Sequence, residues 1–482
     1  MKNLHIKIFG IFYLSLISFS FTSCTLVDHD DQKHEGNNSG YASKEVESIF
    51  VNSCALSGCH SENSPSNGLN LTLQSELMNG ATHRPLANNA HYGGDDVIPF
   101  NTEKSLLMQF VKGNITSKMS VDHNILTDSQ ISTLSKWIKD GAKNYNGEVP
   151  FENRESYRVY VCNSTSKSIS TIDGTKKVVS HITDLGDETT GNDTPYWIED
   201  SGAYYYVTFS KSNRFVKFRK SDNSVVGSIS NILSAGVIKL TSDGSKAYVS
   251  RAIDSTATYN SIYVINTSSM TIKTTITFPF YGILHGLALD EGRKLLYVTD
   301  GINHTVHIVN TFNDTVIDSR FSLTQDFFPL YTEISKDGNY LYTTASNTNE
   351  LLVSNAVSRV TLDRIPLLST PAGVAVSSDG NKIYVASFNG NAIEVITKSG
   401  NFWSKTNTIT HPTMSNPFAL DITDDNSYLY VANFNGNGDF VPTYQVKGEK
   451  NISTITIINT SSESVEKVIE VEENAIGITV EK

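Results

Sequence analysis

From Tyr157 to the end of the chain, hydrophobic and polar residues alternate in short runs of the kind that forms β-strands. In each unit one run ends with a tyrosine that is mostly followed by valine, and the units recur every 42 to 49 residues. A repeat of this length predicts one supersecondary unit used many times. The repeated tyrosines are Tyr160, Tyr206, Tyr248, Tyr297, Tyr342, Tyr384 and Tyr430.

Each unit also contains the signals of tight turns. A polar turn such as TSDGSK or SKDGNY precedes most of the tyrosines, and its Asp-Gly pair allows the positive φ that a short hairpin requires. A second pair of alternating runs follows, as in SIYVINTSSMTIKTTITF. Each unit therefore predicts four antiparallel strands, and such units arranged around an axis form a β-propeller. Seven tyrosines predict seven blades.

The two ends of the repeat region complement each other. The first unit begins at YRVYVCN without a preceding strand, whereas the chain ends with AIGITVEK and has no tyrosine after it. We expect residues 475–482 to complete the first blade, because each segment then covers an otherwise unpaired strand edge. The predicted propeller extends over residues 157–482.

Before the repeat region the pattern is helical. The stretch SKEVESIFVNS places its apolar residues on one side of a helix. The stretch LTDSQISTLSKWIKDGAKN predicts a second helix, with Thr127 as N-cap and Gln130 as its capping-box partner. The fold class is therefore a small all-α domain, over residues 44–146, followed by an all-β seven-bladed propeller of four-stranded blades.

One stretch in the helical region has the residues of a functional site. In CALSGCH, residues 54–60, Cys54 and Cys59 flank a four-residue spacer and His60 follows directly. The pair could form a disulfide, half of a zinc site, or an attachment site for haem. Zinc requires four ligands and no second Cys/His pair lies nearby, which disfavours zinc. The usual haem attachment motif has a two-residue spacer, so a longer one must bulge, and Gly58 would permit this.

The N-terminus has the pattern of an export signal. Lys2 and Lys7 precede an apolar run that ends in small residues and Cys24, and the run is short for a membrane span. The cysteine at this place resembles the bacterial lipobox, which implies a lipoprotein signal peptide over residues 1–24 with Cys24 lipidated. Residues 25–43 are almost entirely polar and predict a flexible tether.

The charge of the chain excludes one class of partner. The formal net charge is −12 over 482 residues, and no basic patch is present in the sequence. Proteins that bind nucleic acid need a concentration of positive charge, so we expect no nucleic-acid partner.

Two resemblances add to these predictions. The tyrosine-containing strands, among them YVTD at residues 297–300, resemble the YVTN family of propeller repeats over residues 157–482. Residues 43–146 resemble the small c-type cytochrome domains of exported bacterial proteins through C…GCH, NGLNL, VIPFNTEKSLL, a methionine, and LTDSQISTLSKWIKDGA.

The second resemblance implies one haem c attached covalently through Cys54 and Cys59. It also implies that His60 and Met119 are the axial iron ligands, with His123 as the rival to Met119. Met108 lies in the apolar run SLLMQF and is expected in the core. A His/Met ligand pair suits electron transfer, because it occupies both faces of the iron.

The expected function is that of a lipid-anchored electron carrier in the bacterial cell envelope, with the outer membrane as the expected site. Its partners would be a redox protein or a small electron donor or acceptor, and the propeller would be a docking surface. This predicts an electron-transfer protein rather than a self-sufficient enzyme. The alternatives are an oxidoreductase that holds a substrate or second cofactor on the propeller, and a non-haem surface binding protein with a Cys54–Cys59 disulfide.

Overall fold

A computed structural model describes the chain in eight segments. They are residues 39–80, 91–115, 126–152, 156–186, 193–252, 260–323, 326–442 and 444–482. Cys24, Met119 and His123 lie outside these segments, so the predictions made for them stay predictions. Among the described helices, none has the length and apolar character that crossing a membrane requires.

The segment before the repeats, residues 39–152, is called the N-terminal module here. It contains short helices and a few two-residue strands. In chain order they are α1 (Lys44–Ser53), β1 (His60–Ser61), β2 (Ser64–Pro65), a 3-10 turn (Ser66–Gly68), α2 (Gln74–Leu77), β3 (His91–Tyr92), α3 (Leu106–Val111) and α4 (Asp128–Lys139).

The two longer helices begin where the sequence predicts. At α4 the Thr127 side chain accepts a hydrogen bond from the Gln130 backbone N–H, and the Gln130 side chain reaches back to the Thr127 N–H at 2.8 Å. This capping box is thus confirmed; it satisfies two N–H groups that a helix start leaves without partners. The apolar faces of α1 and α4 meet through Phe50 and Trp137, whose ring centroids are 5.8 Å apart.

The predicted tether over residues 25–43 is too long at its C-terminal end. Tyr41 is completely buried, its ring stacks on Phe50 at 4.6 Å, and its hydroxyl donates to the carbonyl oxygen of Leu71 at 2.9 Å. One aromatic side chain in a polar stretch is enough to fix the chain there, because it supplies a large apolar area together with a hydrogen bond. The folded module therefore includes residues 39–43.

The described residues from 156 onward form seven sheets, which are the blades of the propeller, so the prediction of seven four-stranded blades is confirmed. The strands of the first three blades, apart from the last strand of the chain, are β4 (Arg158–Asn163), β5 (Ser168–Asp173), β6 (Val178–Asp184), β7 (Pro195–Ser201), β8 (Tyr204–Phe209), β9 (Arg214–Arg219), β10 (Val225–Ser230), β11 (Ala235–Leu240), β12 (Lys246–Arg251), β13 (Ser261–Asn266) and β14 (Thr271–Thr277).

The fourth to seventh blades continue in the same order. Their strands, with the last strand of the chain, are β15 (Leu284–Asp290), β16 (Leu295–Asp300), β17 (Thr305–Asn310), β18 (Thr315–Ser322), β19 (Pro329–Ile334), β20 (Tyr340–Ala345), β21 (Glu350–Asn355), β22 (Thr361–Pro366), β23 (Pro371–Val376), β24 (Lys382–Ser387), β25 (Ala392–Ser399), β26 (Phe402–Thr410), β27 (Pro417–Ile422), β28 (Tyr428–Asn433), β29 (Ile452–Asn459), β30 (Ser464–Glu473) and β31 (Ala475–Val480).

The first blade contains both ends of the repeat region. Its strand order is β31-β4-β5-β6, and Thr479 of β31 lies opposite Tyr160 of β4. Ile478 and Val480 of β31 are almost fully buried, at 4% and 1% exposure. The C-terminal strand is therefore an integral inner strand of the ring.

The seventh blade carries one strand more than the others. β3 of the N-terminal module pairs in parallel with β30, the outer strand of that blade, so the sheet has the order β27-β28-β29-β30-β3. A backbone N–H of Gly93 adds a hydrogen bond to the Val468 carbonyl at 3.1 Å. The module thus covers part of the outer edge of this blade, at Lys467 and Val468.

Candidate functional site

The loop from Cys54 to His60 is tightly folded at the end of α1. The Cys54 N–H ends the helix by donating to the Phe50 carbonyl at 3.0 Å. The chain then turns back, since the His60 N–H donates to the Cys54 carbonyl at 3.2 Å. Gly58 lies within this turn at a φ of +82°, with open space where a Cβ would be. The four-residue spacer therefore bulges at its glycine, and both cysteines belong to one closed loop.

The two thiols of this loop are half-buried and are not joined to each other in the structure. Burial, followed by the neighbouring Cys59, raises the pKa of Cys54 to about 11. Cys54 is therefore a protonated thiol at neutral pH, which argues against a role as a catalytic nucleophile.

His60 is held in one orientation by a backbone carbonyl. Its Nδ1 lies 3.0 Å from the carbonyl oxygen of Leu69. Because a carbonyl can only accept, the Nδ1 atom carries the proton, and the lone pair of the neutral ring is on Nε2. Two backbone hydrogen bonds anchor the surrounding chain: the Leu71 N–H donates to the His60 carbonyl at 2.9 Å, and the Ser66 N–H to the Cys59 carbonyl at 2.7 Å. Nε2 is thus the ring nitrogen through which His60 could bind a metal ion.

The structure brings Cys54, Cys59 and His60 together, but it does not place the expected sixth ligand. Met119 and His123 lie outside the described residues, whereas Met108 is completely buried in the core of the module, as expected. Across the described part of the chain, no group of three His, Cys, Asp or Glu side chains is arranged to hold a metal ion.

A second candidate site lies on the propeller axis. A cavity of about 340 Å³ is lined by residues from all seven inner strands, so it occupies the central channel, and turns of the repeat (residues 335–336, 377–378 and 423–426) lie beside it. Four of its charged side chains stand at the inner-strand positions directly opposite repeated tyrosines: Glu199, Lys239, Glu333 and Asp421 pair with Tyr206, Tyr248, Tyr342 and Tyr430.

These axial charges are not among the residues that the sequence predicts as functional. A usable signal was present, because the charged partner precedes its tyrosine by nine residues in three blades and by seven in the blade of Glu199. A charge at that place in a propeller repeat indicates an axial side chain. The spacing could be interpreted only once the strand register was known.

The axial charges are strongly coupled to one another. The Lys239 ammonium lies 2.8 Å from a Glu333 carboxylate oxygen and 3.8 Å from one of Glu199. Burial opposes the charge on Lys239, but these two carboxylates hold its pKa above the usual range. Lys482 lies 3.5 Å from the Asp421 carboxylate, which chiefly raises the Lys482 pKa.

His285, at the start of the inner strand β15, is completely buried. Its Nδ1 donates to the Arg251 carbonyl at 2.9 Å, and the rings of Tyr196 and Tyr331 lie edge-on to it. Burial lowers the pKa of His285 to about 4, against the opposing effect of that hydrogen bond. The residue is therefore a neutral part of the propeller core.

The N-terminal module and the seventh blade are also joined by a long loop between β28 and β29, residues 434–451, called the clasp loop here. Tyr444 of this loop accepts a hydrogen bond from the Asn67 side chain at 2.9 Å and contacts the Phe110 ring edge-on at 4.8 Å. Lys447 donates its backbone N–H to the Asn114 carbonyl at 2.8 Å. The clasp loop therefore holds the chain immediately before residue 116, where the segment that contains Met119 begins.

Comparison with known proteins agrees on the fold only. No family model matches the sequence, and no curated protein does. The structure is similar to that of a functionally unknown protein from Desulfotomaculum acetoxidans, with a TM-score of 0.55, 14% identity, and coverage of 67% of this chain and 99% of that one. A protein from Lactobacillus plantarum gives a TM-score of 0.55 at 13% identity, covering 68% and 100% of the two chains. Hydrazine synthase of Kuenenia stuttgartiensis gives 0.46 at 16% identity, covering 57% and 78%. At these identities the first two likenesses show that the larger part of this chain is a β-propeller.

Proposed function

We propose that the protein is a lipid-anchored c-type cytochrome that carries single electrons through one haem attached at Cys54 and Cys59. The observation that carries this proposal is the hydrogen bond from His60 Nδ1 to the Leu69 carbonyl, beside two free thiols on one loop. Histidines that bind metals generally donate their second ring N–H to a carbonyl or carboxylate in this way.

The residues of the loop fit the group. The thiols of Cys54 and Cys59 would each add across a vinyl group of the haem to form a thioether, and His60 Nε2 would hold the iron. When bound, the haem supplies reversible one-electron oxidation and reduction. The chain's own contribution is to fix the histidine ring through Leu69 and to keep Cys54 partly inside the apolar core of the module, next to Ala55 and Leu69. A neighbouring apolar wall limits the access of water to such a site and so affects its potential.

Met119 is the proposed second axial ligand, and His123 is its rival. The clasp loop supports a role for this part of the chain, because it fixes residues 114–115 against Val446 and Lys447.

The propeller is proposed as a docking surface for a redox partner protein or for a small electron donor or acceptor, with no role for nucleic acid. β3 and the clasp loop join the N-terminal module directly to blade seven, so a partner bound to the propeller near that blade would lie close to the loop of Cys54. The lipid on Cys24 would keep the protein in the cell envelope, at the outer membrane.

A second candidate function is favoured by the axial cavity. An oxidoreductase with a substrate or second cofactor on the propeller would use that cavity, and its charged and aromatic lining is suited to a small polar molecule. The remaining alternative is a non-haem surface binding protein in which the same two thiols form a Cys54–Cys59 disulfide.

The test is the visible spectrum of the full chain, made in a host that attaches haem c. We expect a c-type spectrum that changes reversibly on oxidation and reduction. In Met119→Ala the haem should stay attached, the reduction potential should fall because a soft ligand of reduced iron is lost, and carbon monoxide should bind. An unchanged spectrum and potential would assign the sixth position to His123 or another residue, and a colourless protein would contradict the cytochrome.

The anchor is tested separately. Cys24→Ser should release the protein from the membrane fraction or leave an unprocessed precursor, because acyl chains supply about 0.8 kcal/mol per buried methylene. Tight membrane binding by a processed Cys24→Ser protein would contradict the lipid anchor.

A further inference from the structure

The axial cavity contains more negative than positive charge close to the axis. Three carboxylates, those of Glu199, Glu333 and Asp421, line it together with the ammonium groups of Lys239 and Lys482. Two further lining residues, Lys336 and Asp424, are exposed and carry opposite charges, so they leave this balance unchanged. All three carboxylates are more than 70% shielded from solvent. Unbalanced charge in a shielded cavity favours a ligand of the opposite sign.

The three carboxylates differ in how well the described residues satisfy them. Glu333 has the Lys239 ammonium at 2.8 Å. Asp421 accepts backbone N–H groups of Val480 and Ile422 at 2.9 and 2.8 Å. Glu199 has only longer contacts, with Lys239 at 3.8 Å and the Trp197 indole N–H at 3.4 Å. Glu199 is therefore the carboxylate with most capacity for a further cationic hydrogen-bond donor.

The electrostatics of Glu199 agree with this geometry. Burial raises its pKa, although Lys239 and Lys482 oppose the change. An additional cation beside it would compensate for the loss of solvation.

The wall beside Glu199 is apolar and aromatic. The Trp197 ring stacks on Tyr331 at a centroid distance of 5.6 Å, and Val237 and Leu287 complete this side of the cavity. An aromatic face and aliphatic side chains next to a carboxylate suit an organic cation with a hydrocarbon part.

We propose that the axial cavity is a binding site for a small organic ammonium compound, whose charged group meets Glu199 and whose hydrocarbon part lies against Trp197. The volume of about 340 Å³ is within the range of small-molecule sites. A metal ion fits less well, because no group of three metal-ligating side chains occurs among the described residues. An anion would meet more carboxylates than ammonium groups in this cavity. This site goes beyond the proposed cytochrome function and does not depend on haem.

The experiment is calorimetric titration of the full chain with three probes of equal length: n-pentylammonium, pentan-1-ol and pentanoate. We expect one pentylammonium per chain, and binding at least about tenfold weaker for the other two probes, since a charged hydrogen bond is worth about that much. The result must be the same with haem present or absent, which separates this proposal from the cytochrome.

Two variants with opposite expected effects sharpen the test. Glu199→Gln should weaken pentylammonium binding at least about tenfold, whereas Lys239→Gln should strengthen it by removing the competing cation. The matched control is Glu350→Gln on blade five, a carboxylate paired with Arg364 outside the cavity.

If Glu199→Gln fails to melt cooperatively, Asp421→Asn replaces it and should also weaken binding. Absence of pentylammonium binding, tighter pentanoate binding, or an affinity unchanged within about twofold in Glu199→Gln would overturn the proposal.

Discussion

The Nδ1 atom of His60 lies 3.0 Å from the carbonyl oxygen of Leu69, and this contact fixes which ring nitrogen of His60 has a free lone pair. The contact forms because the chain folds back so that residues 69–71 lie beside His60. The Leu71 N–H donates to the His60 carbonyl in the same place. The contact leaves Nε2 of His60 as the ring nitrogen with a lone pair, which is the atom that the proposed iron ligation requires.

His60→Gln is expected to keep the fold and lose the iron ligand. Glutamine can still donate to the Leu69 carbonyl, but its side chain has no nitrogen lone pair for iron. The visible spectrum of the holoprotein should therefore change to that of iron that has lost a strong axial ligand. His285→Gln, at a buried histidine of the propeller, is the matched control and should leave the spectrum as in wild type. Equal spectra for wild type and His60→Gln would remove His60 from the site.

Tyr444→Ala is expected to loosen the clasp loop. The change removes the edge contact with Phe110 and the hydrogen bond from Asn67, together worth about 1–2 kcal/mol. Hydrogen exchange should become faster at the amide of Lys447, which bonds to Asn114, while the strands of blade seven keep their protection.

The control for this change is Tyr281→Ala, at a tyrosine that is 76% exposed in the connection between blades three and four. It should leave exchange in the clasp loop as in wild type. Unchanged protection at Lys447 in Tyr444→Ala would show that Tyr444 does not join the two parts.

Deletion of residues 475–482 is expected to open the propeller. The first blade would lose its inner strand, and the Glu481 carboxylate, which lies 3.0 Å from Lys220 of blade two, would be lost with it. The thermal transition of the propeller should move down by many degrees or lose its cooperativity, whereas haem attachment should survive. A truncated chain that melts like wild type would contradict the closure.

A single substitution tests the packing of β31 against the second blade without removing the strand. A Cβ at Gly477 of β31 would come within 2.7 Å of the Tyr196 carbonyl in the next blade, so Gly477→Ala should destabilise by about 1–3 kcal/mol. At Gly292, in an exposed turn, a Cβ meets nothing closer than 3.4 Å. Gly292→Ala should therefore leave the melting temperature nearly unchanged.

Acid is expected to destabilise the propeller partly through His285. Its pKa is lowered to about 4 in the fold, so between pH 6.5 and 4 the unfolded chain binds a proton that the folded chain does not. The contribution of His285 to the free energy of unfolding is fully present above pH 6.5. It decreases as the pH falls, by up to about 3 kcal/mol at pH 4. Wild type should lose melting temperature more steeply than His285→Gln over this range. Parallel pH profiles for the two proteins would contradict the buried neutral histidine.

Most of the fold could be predicted from short patterns in the sequence. The repeated tyrosines mark strands because each is fully or almost fully buried at the centre of its blade, and the turns before them have a composition that their geometry demands. The capping box of Thr127 is likewise a matter of four neighbouring residues.

Contacts between residues far apart in the sequence could not be predicted in this way. Glu199 and Lys239 become neighbours only when the second and third blades lie side by side, and Tyr444 meets Asn67 across more than 370 residues of chain. The polar residues around Tyr41 predict a tether, although the Tyr41 ring itself is buried. Such contacts depend on the register of the strands and on how the N-terminal module packs against the propeller. Neither can be read from a short stretch of sequence.

The central claim is tested most directly by unfolding the full chain in denaturant and separating it from small molecules. Covalent attachment at Cys54 and Cys59 predicts that the haem absorbance travels with the unfolded chain, and that it is lost from a Cys54→Ala, Cys59→Ala double variant. Cys162→Ala, at the buried cysteine of β4, is the control and should retain the haem. A wild-type chain from a haem-attaching host that is colourless after this separation would contradict the account.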